Sequence, residues 1–409
     1  MSKLINIGII GLGQRGPGLM SQLARMTEKV KITAVCDLFP DRVQAARKKL
    51  KENYNIEHEV FGTTNAYELI DRDDVDAIII ASSWESHIPL SIYAMNAGVA
   101  VGCEVAGAYS VEQCWDLVKT YEKTKTPIML LENACYEDRL MAIRRMVKAG
   151  FFGEIVHCDC SYSHDIRDEI ADGVKIRHYR LRNYLNRNGD NYPMHGLGPV
   201  AQYLNINHGN RFISIASFAS QAYGLEEFIK TERADVPESQ GYRFKQGDII
   251  TSIIQCANGE TIRLHLSTTT PRPYCEDINI YGTKSTYRWD VHSFFDGRKD
   301  ERDGKNNWSK NKGNGDKFVE EWRHPVWKEF KEQQNKVGGG KFGHGGIDWL
   351  TLCDFVDSLR ENKPMPIGVY DMASWMVVTT LSERSIANGG EVVEFPDFTN
   401  GRWLYDKAF

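Results

Sequence analysis

Gly11-Leu12-Gly13-Gln14-Arg15-Gly16, with Asp37 about 20 residues further on, has the residue types and spacing to hold a dinucleotide. Gly11 permits a tight turn, Gly13 lets a pyrophosphate approach the backbone, and Gly16 allows close helix–strand packing. Gln14 and Arg15 lie in the same loop. An Asp37 carboxylate accepts hydrogen bonds from ribose hydroxyls and repels a 2′-phosphate, which favours NAD over NADP. Ser82-Ser83-Trp84-Glu85-Ser86-His87 leaves a third apolar strand and brings Ser83, Trp84 and His87 toward a ribose or nicotinamide. The other reading of His87 is a helix-start residue packed by Pro89.

A second group is suited to proton transfer. His195 carries an imidazole, the side-chain type most often used to accept and return a proton. Tyr192, three residues earlier, shares a helical face with it. Tyr162 and His164 stand two apart in a strand-like run and so point to one face. Core packing, a helix cap and a solvated sheet face are the competing readings of these side chains. His344 and Asp348 stand four apart and would suit a metal only on a helix. Their glycine-rich surroundings point to a loop, and no metal site is expected.

These residues need a scaffold, and the chain supplies two. Ile5–Ile10, Ile32–Cys36, Val75–Ala81, Val99–Cys103 and Pro127–Leu131 are short apolar runs. Helical stretches at 19–24, 41–53 and 88–97 alternate with them, which predicts a doubly wound parallel Rossmann sheet covered on both faces. After Asn133 the texture changes. A helix over 139–149 leads into strand-like runs at 154–162, 249–256 and 261–267, with Asn258-Gly259 as a hairpin turn. This half is expected to be an α+β domain with a largely antiparallel open sheet. The expected domains are therefore 1–133, for NAD, and 134–409, for substrate, with a C-terminal segment able to pack back on the first. Asp296–Lys317 and Gly338–Gly346 read as long loops.

Composition narrows the class. A chain of 409 residues with 42% apolar content suits two soluble domains, and no apolar run is long enough to span a bilayer. A net charge of −5 gives no footprint for nucleic acid. Nine cysteines, an odd and scattered set, argue against a disulfide scaffold, and Cys158 and Cys160 read as buried free thiols. The expected location is cytoplasmic if Met1 is the native start, and exported if a signal segment has been trimmed.

The fingerprint, Cys36-Asp37, the third-strand loop and Glu104 after the strand over 99–103 together resemble the Gfo/Idh/MocA oxidoreductases. In most of that family the position of Val105 is the lysine of a Glu-Lys-Pro motif, which relays the proton of the hydroxyl being oxidised. The second half narrows the likeness to glycoside hydrolase family 109. Tyr162-Ser163-His164-Asp165-Ile166-Arg167, the block 186–200 around Tyr192-Pro193-Met194-His195, Pro271-Arg272-Pro273-Tyr274 and Gly343-His344-Gly345-Gly346-Ile347-Asp348 resemble its motifs. So does Glu394-Phe395-Pro396-Asp397-Phe398. That family carries Glu-Val-Pro-Ala-Ala where this chain has Glu104-Val105-Ala106-Gly107-Ala108, a partial match.

The resemblance implies a glycosidase, N-acetylgalactosaminide-cleaving in known members, that reuses bound NAD within each turnover. Carbon 3 of the sugar is oxidised and a base removes the acidified proton on carbon 2. The glycosidic oxygen then leaves carbon 1, water adds, and carbon 3 is reduced again. His195, Tyr192 and Tyr162 are the implied catalytic residues. His164, Arg180, Arg182 and Tyr274 would contact sugar, and Glu104, Val105 and Asn133 would complete the cofactor set. A net sugar dehydrogenase and a silent NAD-binding sugar sensor are the alternatives. The expected partner is a small glycoside, and the fold analogy implies a homo-oligomer.

Overall fold

The structure is a computed structural model that describes residues 4–297, 313–336 and 342–405. It divides into two compact units, Met1–Asn133 with Gly339–Ala373 and Ala134–Gly338 with Ser374–Phe409. The substrate domain read from the sequence as 134–409 is thus not one continuous unit.

The first unit opens with β1 (Ile5–Ile10), α1 (Gly16–Leu23), β2 (Val30–Cys36), α2 (Pro40–Tyr54), β3 (Phe61–Thr63) and α3 (Ala66–Ile70). It continues with β4 (Ala77–Ile80), α4 (Trp84–Asn96), β5 (Ala100–Cys103), α5 (Val111–Thr124) and β6 (Ile128–Leu130). The strands are parallel in the order β3-β2-β1-β4-β5-β6. All four residues of β4 and of β5 are buried, which is why their sequences are continuous apolar runs rather than alternating ones. The order reverses direction between β1 and β4, so the loops leaving these two strands flank the crevice where open α/β sheets bind ligands. Helix α4 begins at Trp84, earlier than its apolar pattern predicts, because extended Ser83 supplies the N-cap and Pro89 is carried inside the helix.

The second unit begins with α6 (Asp138–Lys148), β7 (Ile155–Ser163), α7 (Arg167–Ala171), α8 (Arg180–Asn186), α9 (Met194–Tyr203), β8 (Phe212–Ala219) and α10 (Gly224–Glu232). Then follow β9 (Ile249–Cys256), β10 (Thr261–Ser267), β11 (Asn279–Gly282), β12 (Ser285–Arg288), β13 (Ser293–Asp296), α11 (Gly315–Trp322) and α12 (Pro325–Lys336). The sheet order is β13-β12-β11-β7-β10-β9-β8, with the short β14 (Val393–Glu394) on its last edge. Among the described strands of this sheet only β7 and β10 pair in parallel, so it is mixed and mostly antiparallel. The β9–β10 hairpin turns at Gly259, whose φ of 99° is one that L side chains rarely adopt. Residues 298–312 and 337–341, which hold most of the two expected polar loops, lie outside the described residues. All nine cysteines are free thiols, and both Cys158 and Cys160 are buried.

Late in the chain come α13 (Ile347–Glu361), in the first unit, and α14 (Val369–Ala387), which crosses the division between the units. Helix α13 covers the parallel sheet. A Cβ on Gly102 would sit 2.8 Å from Ile79 Cδ1 and 3.4 Å from Phe355 Cε1. The missing side chain in β5 is therefore what lets α13 close on the sheet. Gly102→Val is expected to destabilise the protein by about 1–3 kcal/mol through overpacking, read as a lower urea midpoint at unchanged slope.

Candidate active site

The glycine loop has the geometry its sequence promised. Gly11 has φ of 94°, and a Cβ there would lie 2.4 Å from the carbonyl carbon of Ala81. A Cβ on Gly16 would lie 1.8 Å from Gly11 O, so this glycine is required by close packing. Around Gly13 the nearest atom is Arg42 Nη1 at 3.5 Å, which leaves its backbone open to a phosphate. Asp37 is 7% exposed; Oδ2 accepts from the Leu12 N–H at 2.7 Å and Oδ1 from the Phe39 N–H at 3.0 Å. Those bonds fix the carboxylate beside the loop and leave lone pairs for ribose hydroxyls. Gln14 is exposed at the loop tip. An open backbone cradle with a fixed acidic neighbour fits a dinucleotide.

Arg15 is committed elsewhere. Its Nε donates to Glu104 Oε1 at 2.7 Å, and its two terminal nitrogens donate to the Asp348 carboxylate at 2.7 and 2.8 Å. Asn133 Nδ2 also donates to Asp348, at 2.7 Å, and His344 Nδ1 lies 2.8 Å from the same carboxylate. Of three residues expected to serve the cofactor, Arg15 and Asn133 thus donate directly to Asp348, and Glu104 joins them through Arg15. Burial lifts the Glu104 carboxyl above its usual range despite Arg15. Burial also works against the Asp348 carboxylate, but His344 and Arg15 overrule it and hold that group well below the carboxylate range. His344 sits in a 3-10 turn, Gly343–Gly346, with φ of 46°, and its bond to Asp348 is a hydrogen-bonded pair. Only the i, i+4 spacing of His344 and Asp348 hinted at this. Their partner Arg15 lies more than 300 residues away and could not be seen from spacing.

Two of the expected cofactor side chains are turned inward. His87 is 1% exposed, with Nδ1 2.9 Å from Glu104 O and Nε2 3.0 Å from Ser82 O. It braces the ends of β4 and β5 instead of facing a ligand, and burial lowers its pKa. Trp84 is 3% exposed in the same helix turn. Ser83 stays partly exposed, and Val105 is buried, its N–H 3.3 Å from Glu104 Oε2.

In the second unit the proton-active residues come together. Tyr162 ends β7 and Tyr192 and His195 stand at the entry to α9, which packs on that strand. Gly196 makes the approach possible, since a Cβ there would be 2.7 Å from Ser161 N. The Tyr162 ring lies 4.7 Å from that of Tyr192 and 5.4 Å from that of His195, with Tyr192 and His195 5.0 Å apart, centre to centre. Tyr162 OH is 2.9 Å from His164 Nδ1. Burial, reinforced by Arg180, lowers the His164 pKa. The lowered pKa favours a neutral His164 ring, whose Nδ1 can accept from the phenol in one tautomer. Arg180 stacks its guanidinium 5.1 Å over the Tyr192 ring and donates to Glu169 Oε1 at 2.8 Å. Tyr274, half-exposed, puts its ring 5.3 Å from His164 and its hydroxyl 3.0 Å from Glu276. Arg182, two residues past Arg180 on α8, is exposed. Glu169 and Glu276, the acidic partners, were not read from the sequence, and no local pattern marks them.

Three carboxylates bordering the cluster are engaged, and a fourth, Asp190, is fully buried. Asp165 holds Arg167 through both oxygens, at 2.9 and 2.7 Å, and Glu169 and Glu276 are bound as above. A retaining or inverting glycosidase instead places two carboxyl groups across the scissile bond.

A Rossmann dinucleotide unit joined to an open mixed sheet with a tyrosine–histidine cluster defines an oxidoreductase-fold carbohydrate enzyme. Residues 5–131 match the oxidoreductase family with an NAD-binding Rossmann fold, and residues 136–405 match the glycosyl hydrolase 109 C-terminal domain. The chain belongs to glycosyl hydrolase family 109. It is 38% identical to a glycosyl hydrolase family 109 protein of Stenotrophomonas maltophilia, over 99% of this chain and 91% of that one. It is 37% identical to an alpha-N-acetylgalactosaminidase of Tannerella forsythia, over 98% of this chain and 88% of that one. Levoglucosan dehydrogenase, in complex with NADH and levoglucosan, shares the fold with a TM-score of 0.69 at 16% identity, covering 97% of this chain and 100% of that one.

Proposed function

We propose that the protein is an NAD-dependent glycosidase that cleaves an N-acetylgalactosaminide by transient oxidation at carbon 3 of the sugar. The observation that carries this reading is a contrast between the units. Val105 stands, buried, where dehydrogenases of the wider family resemblance keep a lysine, while Tyr162, His164, Tyr192 and His195 gather in the second unit. Gly11, Gly13, Gly16 and Asp37 would hold NAD, which supplies a hydride acceptor and donor at carbon 3.

The chain's own work is then proton traffic. The Tyr162 hydroxyl pairs with His164 Nδ1 at 2.9 Å, which gives its proton a neighbouring ring nitrogen, and Arg180 interacts electrostatically with the same tyrosine. Tyr162 is therefore suited to take the carbon 2 proton. His195 and Tyr192 are suited to hold the proton of the oxidised hydroxyl and to deliver one to the departing glycosidic oxygen. The identity of relatives named as alpha-N-acetylgalactosaminidases supports the sugar, and the engaged carboxylates disfavour a two-carboxylate mechanism.

Incubation with nitrophenyl N-acetylgalactosaminide in deuterium oxide tests the reading. The expected result is phenol release, deuterium at carbon 2 of the sugar, and no net NADH. Accumulating NADH with free sugar would assign a dehydrogenase, and silence in both channels across a broad glycoside panel would assign a sensor.

A further inference from the structure

The sheet of the second unit carries another polar concavity, on the face turned away from the tyrosine–histidine cluster. Alternation along β7 sets this. Cys158, Cys160 and Tyr162 point to one side, where Tyr162 packs with Ile250 and Leu266, and His157 and Asp159 point to the other. Register places Thr261 and Arg263 of β10 on one flank of these two, and Tyr281 and Asn279 of β11 on the other. All of these but Thr261, with Asp277, Arg288 and Asp290, line a solvent-open pit of about 490 Å³.

Asp159 organises its floor. It is 6% exposed, and Oδ1 accepts from Arg263 Nε at 2.8 Å and His157 Nε2 at 3.1 Å. Oδ2 accepts from Tyr281 OH and Asn279 Nδ2, each at 3.3 Å. His157 Nδ1 lies 2.8 Å from Thr261 Oγ1 and can accept from that hydroxyl, so a neutral ring satisfies both contacts. Each guanidinium is gripped by one edge. Arg263 is held through Nε, and Arg288 through Nε and Nη2 on Asp290 at 3.1 and 3.0 Å. Among the described residues their remaining N–H groups are left for the pit.

The chemistry selects a ligand class. Apart from the Tyr281 ring every lining side chain is charged or polar, so a lipid finds no extended apolar surface. Both arginines are already paired with carboxylates, so a phosphate gains little net attraction. Among the described residues no group of three His, Cys, Asp or Glu side chains could hold a metal ion. What remains is a rigid set of planar donors and acceptors, with the Tyr281 ring 5.7 Å from that of His157 as a flat wall. That combination matches the vicinal hydroxyls and C–H face of a pyranose.

We propose that this pit is an accessory saccharide site that binds a neutral sugar unit on the sheet face opposite the reacting one. It stands independently of the glycosidase reading. The test is a titration of the full chain with N-acetylgalactosamine, galactose and maltotriose by saturation-transfer NMR and calorimetry. It compares wild type, the double variant Arg263→Met/Asp277→Asn, and Tyr192→Phe. Two classes of site are expected in the wild type. The pit variant should weaken one of them at least tenfold and leave nitrophenyl-glycoside turnover unchanged, while Tyr192→Phe spares that class. Arg288→Ala, at a more exposed side chain, gives the same readout should the double variant fail to fold. A wild-type isotherm in both pit variants would overturn the proposal. So would a fall in molar mass by light scattering, which would make the pit a contact between copies of the chain.

Discussion

His195→Ala is expected to abolish glycoside turnover while the protein retains its NAD. General acid–base groups contribute about 10²–10⁴-fold, and the neighbours of His195 in the cluster, Tyr162, Tyr192 and His164, are placed for proton steps of their own. Its ring touches Tyr162 and Tyr192, and the residues suited to NAD are Gly11, Gly13, Gly16 and Asp37 in the other unit. Nitrophenol release measures the first quantity. The nicotinamide nucleotide recovered after denaturation measures the second. Turnover within a few-fold of wild type would remove His195 from the chemistry, and loss of both quantities would make its role structural.

The second large effect is on stability. Asp190 is 0% exposed, two residues before Tyr192. Its Oδ1 receives only a long bond, 3.4 Å, from the Tyr192 N–H, and its Oδ2 has no partner among the described residues. The backbone there is firmly held, with N–H donating to Ser382 Oγ at 2.9 Å and C=O accepting from Thr379 Oγ1 at 2.6 Å. The carboxyl therefore cannot swing out to water, and burial pushes its pKa up to about 7. A folded-state pKa above the unfolded value means that folding retains a proton. The contribution is full below about pH 4 and is lost as pH rises to 7. Roughly three pH units at 1.4 kcal/mol each give a loss on the order of 4 kcal/mol. Asp190→Asn should remove this slope, so the variant gains on wild type steadily from pH 4 to 7 in urea titrations. Parallel pH profiles for the two proteins would show that Asp190 is hydrated or paired in solution.

The same contrast separates what the sequence could disclose from what it could not. Most of the Rossmann half was legible because five of its strands lie in apolar runs and its loop has a spacing dictated by one ligand; the three-residue β3, Phe61-Gly62-Thr63, was not. In the second half, β9 and β10 were legible through alternation and an Asn-Gly turn. Strands β11, β12 and β13 have four residues each, too few for a period to show. At the site, Tyr162 and His164 were a local pair, and their hydrogen bond follows from strand geometry. The Arg180–Glu169 pair and the Arg15–Asp348 pair depend on how helices and turns are brought together. His87 had two readings, a ligand contact and a packed helix-start residue. Its position after β4 suggested a ligand contact, but the same position faces two strand-end carbonyls, and these took the ring.

The late residues that return to the parallel sheet have a consequence for how this protein is made. Asp348 neutralises Arg15 in the glycine loop, Phe355 covers Gly102, Asp357 pairs with Lys29 at 2.7 Å, and the Ile367 carbonyl accepts from the Leu130 N–H at 3.1 Å. A ribosome that has finished residues 1–133 has supplied every strand of the nucleotide-binding sheet but none of these four contacts. The N-terminal unit must then wait, with one helix-binding face bare, while the whole intervening unit is synthesised. Its completion comes among the last folding events rather than the first, and exposure of that apolar face makes this interval the one in which chaperone binding matters most.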